Sequence, residues 1–552
     1  MRLFTTVVVF LALAGCSEPS QQAAVLLHNA VIYTVNSEQP HAEAMAFDTE
    51  GMILAVGDEA ELREQFNITD SIDAGGHAVV PGLIDAHVHL MGLGVSMLQA
   101  RLEGATSVEE TVQRLRDFES NLPADSWLTG RGWDQNDWPV KEFPNKAMLD
   151  EYFPDRPVWL RRIDGHAGWA NSAALGAAGL SEPADWQPEG GLIQRDADGV
   201  PTGIMVDNAM AHIDSVVPSL SEGDYERAVG LALTETARYG LTGVHETGIG
   251  VSEFDRYVRF IDEGQFPLRL YAMSNALDEL YQRMCDSGPV LNYGGRLTAR
   301  AVKLYADGAL GSRGAALHLP YDDDPGNKGL LVTDPDALKH AAAAVLDCGL
   351  QIGIHAIGDF GNTAVVDAIE FGMAAVNDNP GRHRNEHVQV IRKEDIARMA
   401  ELGIIASMQP THATSDMYWV EDRLGPQRVL QSYAWQQILD AGVTLSLGSD
   451  FPVESVNPML GFYAAVTRQD VTGWPVGGWY ADQALSREEA LRGFTIDAAY
   501  AAFQEEMLGS LEPGKRADFV ILSADIMKIE AEQIPATEVV ATYLDGREIY
   551  RR

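Results

Sequence analysis

The sequence predicts an α/β protein: a (β/α)8 barrel of the TIM type with a long insertion after its first strand, plus a small discontinuous β-sandwich built from both chain ends. Three observations carry this expectation. Short apolar runs alternate with helix-like segments through the middle of the chain, the pattern of βα units around a parallel sheet. Both ends of the chain share a β texture. One connection is far longer than a crossover requires.

The candidate barrel strands lie at 78–90, 240–246, 266–274, 299–308, 349–359, 383–391, 403–411 and 442–450. From the second onward their starts are about 20–50 residues apart, one βα unit each. Between the first and second lie about 150 residues, so this connection carries an insertion over about 91–239. Six of the ten tryptophans fall in it: Trp127, Trp133, Trp138, Trp159, Trp169 and Trp186. Connections after barrel strands build the active-site face. The insertion is therefore expected either to roof a pocket with aromatic side chains or to use them as the core of a subdomain.

Residues 25–80 contain short apolar runs punctuated by turn residues such as Asn36 and Gly51. Residues 517–525 and 539–552 repeat that texture, with an Asp545-Gly546 turn. The expected units are thus 25–80 and 509–552 as the two parts of one sandwich, enclosing a barrel at 81–508.

The chain opens MRLFTTVVVFLALAGC. Arg2 precedes an apolar run too short to span a bilayer but suited to a signal peptide. Leu13-Ala14-Gly15-Cys16 resembles a bacterial lipobox. That resemblance implies cleavage of 1–15, diacylation of Cys16 and a tether over 16–24. The mature protein is then expected as an exported lipoprotein anchored to a membrane, periplasm-facing or at the cell surface. Cys285 and Cys348 remain. They are far apart in sequence, Cys348 reads as a small buried apolar residue, and no disulfide is expected.

Charged residues number 40 Lys+Arg and 80 Asp+Glu, a formal net charge of −40. Such a surface repels phosphate backbones and excludes a nucleic-acid binder. Most of the charge reads as solubilising surface, with attraction of cationic substrates or metals as the other reading.

His87-Val88-His89 ends the first strand, and residues i and i+2 of a strand share a face. Both imidazoles can then approach one cation. His355, His387 and Asp450 are metal-binding types at or near the ends of other barrel strands, where catalytic groups collect. Lys303 lies inside a strand, where an unpaired ammonium is costly and demands a partner, a depressed pKa or a chemical modification.

The run Val80-Pro81-Gly82-Leu83-Ile84-Asp85-Ala86-His87-Val88-His89 resembles the first-strand signature of the amidohydrolase superfamily. Residues 512–520 (EPGKRADFV) resemble that superfamily's return to its sandwich. The long insertion, Gly130-Arg131-Gly132-Trp133-Asp134, the segment Lys303 to Ser312 and Met408-Gln409-Pro410-Thr411-His412 resemble the amidohydrolase-3 (YtcJ-like) family. The resemblance covers nearly all of 25–552 and implies two divalent metal ions, zinc fitting the mixed donor set. It puts His87 and His89 on the more buried metal and His355 and His387 on the second. Lys303 becomes a carbamate bridging both, and Asp450 is both ligand and proton carrier. Trp133, Asp134, His166 and His412 are expected to touch substrate, and His245-Glu246 to lie near the site without an assigned role. The implied reaction is hydrolysis of a C–N bond in a small amide-like or formamide-like substrate. A homodimer is compatible with the sequence.

Two other readings use the same residues. A mononuclear deaminase or cyclic-amide hydrolase would need His87, His89, His355 and Asp450 but no bridging lysine. A lipid-anchored solute-binding protein would need no proton carrier. His28, His41, His77, His212, His318, His340 and His383 read as surface or structural histidines.

Overall fold

The computed structural model describes residues 23–120, 122–123, 126–376 and 379–552. Cys16 and the segment expected to be cleaved lie outside the described residues. None of the described helices is long and apolar enough to cross a membrane.

Eight parallel strands form a nearly closed barrel: β1 (Leu83–Val88), β2 (Leu241–Ile249), β3 (Arg269–Asn275), β4 (Leu297–Tyr305), β5 (Gln351–Ala356), β6 (Arg384–His387), β7 (Ile405–Met408) and β8 (Leu445–Leu447). Each falls within or overlaps one of the eight expected runs. Their outward apolar residues meet a ring of helices. Among these are Glu222–Arg238, whose first turn is capped by Ser221 Oγ, and Pro335–Asp347, opened by Asp334 and Pro335.

Between β8 and β1 the closure is made by the segment that follows β8. The Asp450 N–H donates to the His87 carbonyl at 2.8 Å, and the His89 N–H to Phe451 O at 2.9 Å. Asp85 fastens this seam, accepting from Ser449 N at 2.9 Å and Ser449 Oγ at 2.6 Å. Gly448 allows the approach: a Cβ there would lie 2.5 Å from Asp85 Oδ1 and 2.7 Å from His87 N.

The chain ends meet on one side of the barrel. A four-stranded sheet of residues 23–28, 44–47, 53–57 and 67–73 faces a six-stranded sheet that combines 31–33, 41–42 and 78–81 with 519–522, 539–544 and 547–551. Leu27, Ile32, Phe47, Val79, Phe519 and Tyr543 fill the space between them. Strand 78–81 runs almost directly into β1, so the first expected strand is two strands in two sheets, broken at Gly82.

The insertion between β1 and β2 carries a six-stranded sheet of its own, with residues 100–101, 128–133, 158–162, 167–170, 191–195 and 201–207. Trp133, Trp138 and Trp169 pack against one another with ring centroids 6.0–6.3 Å apart, at the centre of its apolar core. Trp159 sits in a second core on the other face. These tryptophans are structural filler, the second of the two expectations.

Cys285 and Cys348 form a disulfide with Cα atoms 5.1 Å apart, which corrects the expectation of two separate thiols. Cys285 is in helix Glu279–Ser287 after β3, and Cys348 caps helix Pro335–Asp347 before β5. Sequence separation hid the contact: β4 alone stands between β3 and β5, so their helices are neighbours on the outside of the barrel.

Candidate metal centre

The parallel barrel places the C-terminal ends of all eight strands on one face. His87 lies near the end of β1, Lys303 near that of β4 and His355 near that of β5. His387 ends β6, and Asp450 follows β8. All five are buried, at 6% exposure or less, whereas the His89 side chain is 37% exposed.

His87, His387 and Asp450 each turn a donor atom to a common point, the three atoms lying within 4.8 Å of one another. His89 Nε2 is 3.3 Å and His87 Nε2 3.8 Å from Asp450 Oδ1. The His355 ring centroid is 4.6 Å from that of His387 and 4.9 Å from that of His166. Lys303 Nζ is 3.3 Å from His87 Nε2. The six residues expected as ligands are therefore gathered at one barrel mouth.

Strand alternation explains Lys303 and His355, whose neighbours Val302, Leu304, Ile352 and Ile354 belong to the apolar layer under the helices. It does not explain His387. Alternation pairs His387 with Asn385, which points out of the barrel to Asn362 of the helix Asp359–Ala375. A left-handed turn of the backbone at His387 (φ 76°) and Val388 (φ 49°) brings the imidazole back to the mouth. Asp450 also adopts positive φ, 61°. Two donor residues thus hold backbone conformations that cost on the order of 1 kcal/mol or more each, a concentration of strain typical of functional sites.

The electrostatics suit a cation. Burial lowers the His87 pKa to about 4 and pushes His355 and His387 well below the ordinary imidazole value, with neighbouring positive charge adding to the effect. All three are thus neutral donors. Burial raises the carboxyl of Asp450, but His89, whose Nε2 lies 3.3 Å from Oδ1, and the surrounding histidines outweigh it and hold the group ionised. Burial lowers Lys303 to about 8, although Glu386 and Asp450 favour its charge. No carboxylate among the described residues forms an ion pair with it.

Glu386 and Arg384 were not singled out from the sequence. Glu386 Oε2 is 2.6 Å from His87 Nδ1, which leaves Nε2 free to face the centre. Arg384 Nε is 2.7 Å from Glu386 Oε1, and Arg384 also bonds His245 Nδ1 at 2.8 Å and Ser407 Oγ at 2.9 Å. Glu386 is therefore ionised in spite of burial, because Arg384 and His87 stabilise its charge. Arg384 and Glu386 are two opposite charges at i and i+2 of one strand-like run. Like Lys303, they are charged side chains inside a strand, and that much is visible in the sequence. Gln409 performs a similar service for His387, with Oε1 2.8 Å from Nδ1. Asp307 accepts three backbone N–H groups, from Ala316, Ile357 and Gly358, and so ties the 306–318 loop to the end of β5. Glu246 receives the N–H groups of Leu90 and Met91, fixing the turn that follows His89.

Above the centre is a cavity of about 690 Å³. His166 and His412 line it, His166 held by Asp207 at 2.7 Å and His412 by Gln389 at 3.0 Å. Asp134 also lines it, ion-paired to Arg162. Trp133 does not: it is fully buried and donates to Leu160 O at 2.9 Å. The insertion roofs the cavity with the polar loop residues beside its tryptophans.

The donor set fits a metal. His355 Nε2 and Asp450 Oδ1 are buried polar atoms with no hydrogen-bond partner among the described residues, a costly state that a coordinated cation relieves.

Comparison with known proteins agrees with this chemistry. The chain is 35% identical to YtcJ of Bacillus subtilis over 535 residues, covering 95% of this chain and 99% of that protein. It is 28% identical to the N-substituted formamide deformylase of Arthrobacter pascens, covering 97% and 99%. Its fold matches the crystal structure of an uncharacterized metal-dependent hydrolase from Pyrococcus horikoshii with a TM-score of 0.73 and 27% identity, over 92% of this chain and 99% of that one. Residues 70–550 match the amidohydrolase family. The protein belongs to that family and is a metal-dependent hydrolase acting on carbon–nitrogen bonds.

Proposed function

We propose that the protein hydrolyses a small amide or N-substituted formamide at a centre of two divalent metal ions bridged by carboxylated Lys303. The observation that carries this reading is the state of Lys303: fully buried, 3.3 Å from a ligand nitrogen of His87 and without a carboxylate partner among the described residues. An ammonium there would oppose any cation at the centre. Addition of the neutral amine to carbon dioxide, with loss of one proton, makes an anionic oxygen donor instead.

Bound divalent ions supply Lewis acidity and a water acidic enough to ionise near neutral pH. His87, His89, His355, His387, Asp450 and the Lys303 carbamate would hold them. Asp450, ionised and gathered with His87 and His387 at the centre, accepts the proton of the attacking water and passes it to the leaving nitrogen. His166 and His412 line the cavity beside His355 and His387 and are placed to orient the substrate carbonyl. The products are a carboxylic acid and an amine.

The A. pascens relative, named for N-substituted formamides, supports that substrate class. The Cys285–Cys348 disulfide supports export, since disulfides persist in oxidising compartments, and lipidation at Cys16 rests on the lipobox resemblance alone.

The test is a screen of zinc- and manganese-loaded protein against N-formyl, N-acyl and cyclic amides, with metal analysis of the same samples. Turnover of formyl or acyl amides at two metals per chain is the expected result. One metal per chain with turnover of cyclic amides alone favours the mononuclear reading. A His87→Ala/His89→Ala variant with undiminished turnover overturns the catalytic assignment.

A further inference from the structure

The cavity walls carry an uneven charge. Eight carboxylates line it against three arginines. Each arginine already has an acid: Arg162 pairs with Asp134 and Asp164, Arg101 with Glu103 and Arg238 with Glu235. Asp450 belongs to the metal centre. Asp137, Asp416 and Glu454 are left, and none forms an ion pair among the described residues. Asp416 accepts from the Tyr433 hydroxyl and Glu454 from Ser415 Oγ, neutral donors in both cases.

A second observation points to a ligand in the same space. The His412 side chain is nine-tenths buried and turns an unpartnered Nε2 into the cavity. Tyr418 and Trp419 also line it, Tyr418 stacked on Trp474 and Trp419 under the Arg423 guanidinium.

We propose that the substrate is an amide bearing a cationic group, an ammonium or guanidinium, seated against Asp137, Asp416 and Glu454. This rests on the amide hydrolysis proposed above and adds its substrate class. Burial raises all three carboxyls, Glu454 to about 7, Asp137 to about 6 and Asp416 well above the ordinary value, and repulsion adds to it, from Asp450 and Asp137 on Glu454, from Asp134 on Asp137 and from Glu454 on Asp416. A cation relieves that repulsion, and the buried setting of the three carboxyls strengthens the attraction.

The test uses two amides of equal size, N-formylcadaverine, which ends in an ammonium, and N-formylhexylamine, which ends in a methyl. The expected kcat/KM ratio favours the ammonium member by about tenfold or more. The ratio falls toward parity in Glu454→Gln and in Asp416→Asn. Equal or better turnover of the neutral amide overturns the cationic class and leaves the hydrolase reading intact. If neither amide is hydrolysed, calorimetric titration of the metal-free protein with cadaverine decides separately. Binding that weakens in both variants supports the cation site although the hydrolase reading fails, and no binding by the parent protein overturns it.

Discussion

His87 Nδ1 lies 2.6 Å from Glu386 Oε2, and neither side chain is exposed to solvent. A buried carboxylate bonded to one imidazole nitrogen fixes the tautomer and aims the other nitrogen at the metal. Here the carboxylate is itself neutralised by Arg384 at 2.7 Å, so a chain of charge runs from the barrel interior to the centre.

Glu386→Gln is expected to weaken metal binding by about 10–100-fold, measured by competition with a chelator. It also leaves Arg384 buried beside a neutral group, at a cost of about 3–5 kcal/mol in urea unfolding. Unchanged metal affinity would remove Glu386 from the site.

Lys303→Met removes the proposed bridge while keeping an apolar stem of similar length. Metal content should fall from two per chain to one or fewer. The parent protein, sprayed from neutral volatile buffer, should carry an adduct of about 44 Da that is missing from the variant. Two metals retained by the variant would contradict a bridging role.

His383 supplies a pH dependence away from the centre. Burial holds its pKa at about 4, against 6.5 for the ordinary imidazole. Between those values the unfolded chain binds a proton that the folded chain refuses. Stability is therefore full above pH 6.5 and declines as pH falls toward 4, by at most about 3 kcal/mol from this group. The difference in unfolding free energy between parent and His383→Gln should follow that window, and a flat difference would refute it.

Reduction of Cys285–Cys348 reopens a loop of 63 residues. Chain entropy sets the loss at roughly 4 kcal/mol, so the Tm should drop with reductant and in Cys285→Ser. A reductant-insensitive Tm would show that the thiols are not joined.

Trp133→Ala should destabilise the insertion by about 3–5 kcal/mol, as for other large core truncations. Its effect should appear in thermal unfolding. Asp134→Asn, at the cavity wall, should instead alter KM. A variant at Trp133 with parental stability would refute the core assignment.

Glu386 shows where reading from sequence ran short. Histidines at strand ends could be found one by one, because each is a ligand type in a recognisable position. Arg384 and Glu386 become functional only as a pair bonded to His87, almost 300 residues earlier. His387 was found by position, yet strand alternation alone would aim it away from the site, and the left-handed backbone that corrects this has no signature in its residue type.

The sequence by itself determined the barrel, its eight strands, the insertion and the gathering of six ligand-type residues, because strand periodicity and parallel topology oblige strand ends to converge. The tertiary structure decided what depends on contacts between distant segments. These are the burial of Trp133, Trp138 and Trp169 in the insertion's core, the Cys285–Cys348 bond, the Arg384–Glu386 support of His87 and the unpaired acids of the cavity wall. Packing distance and local dielectric govern each of them, and neither is encoded in spacing along the chain.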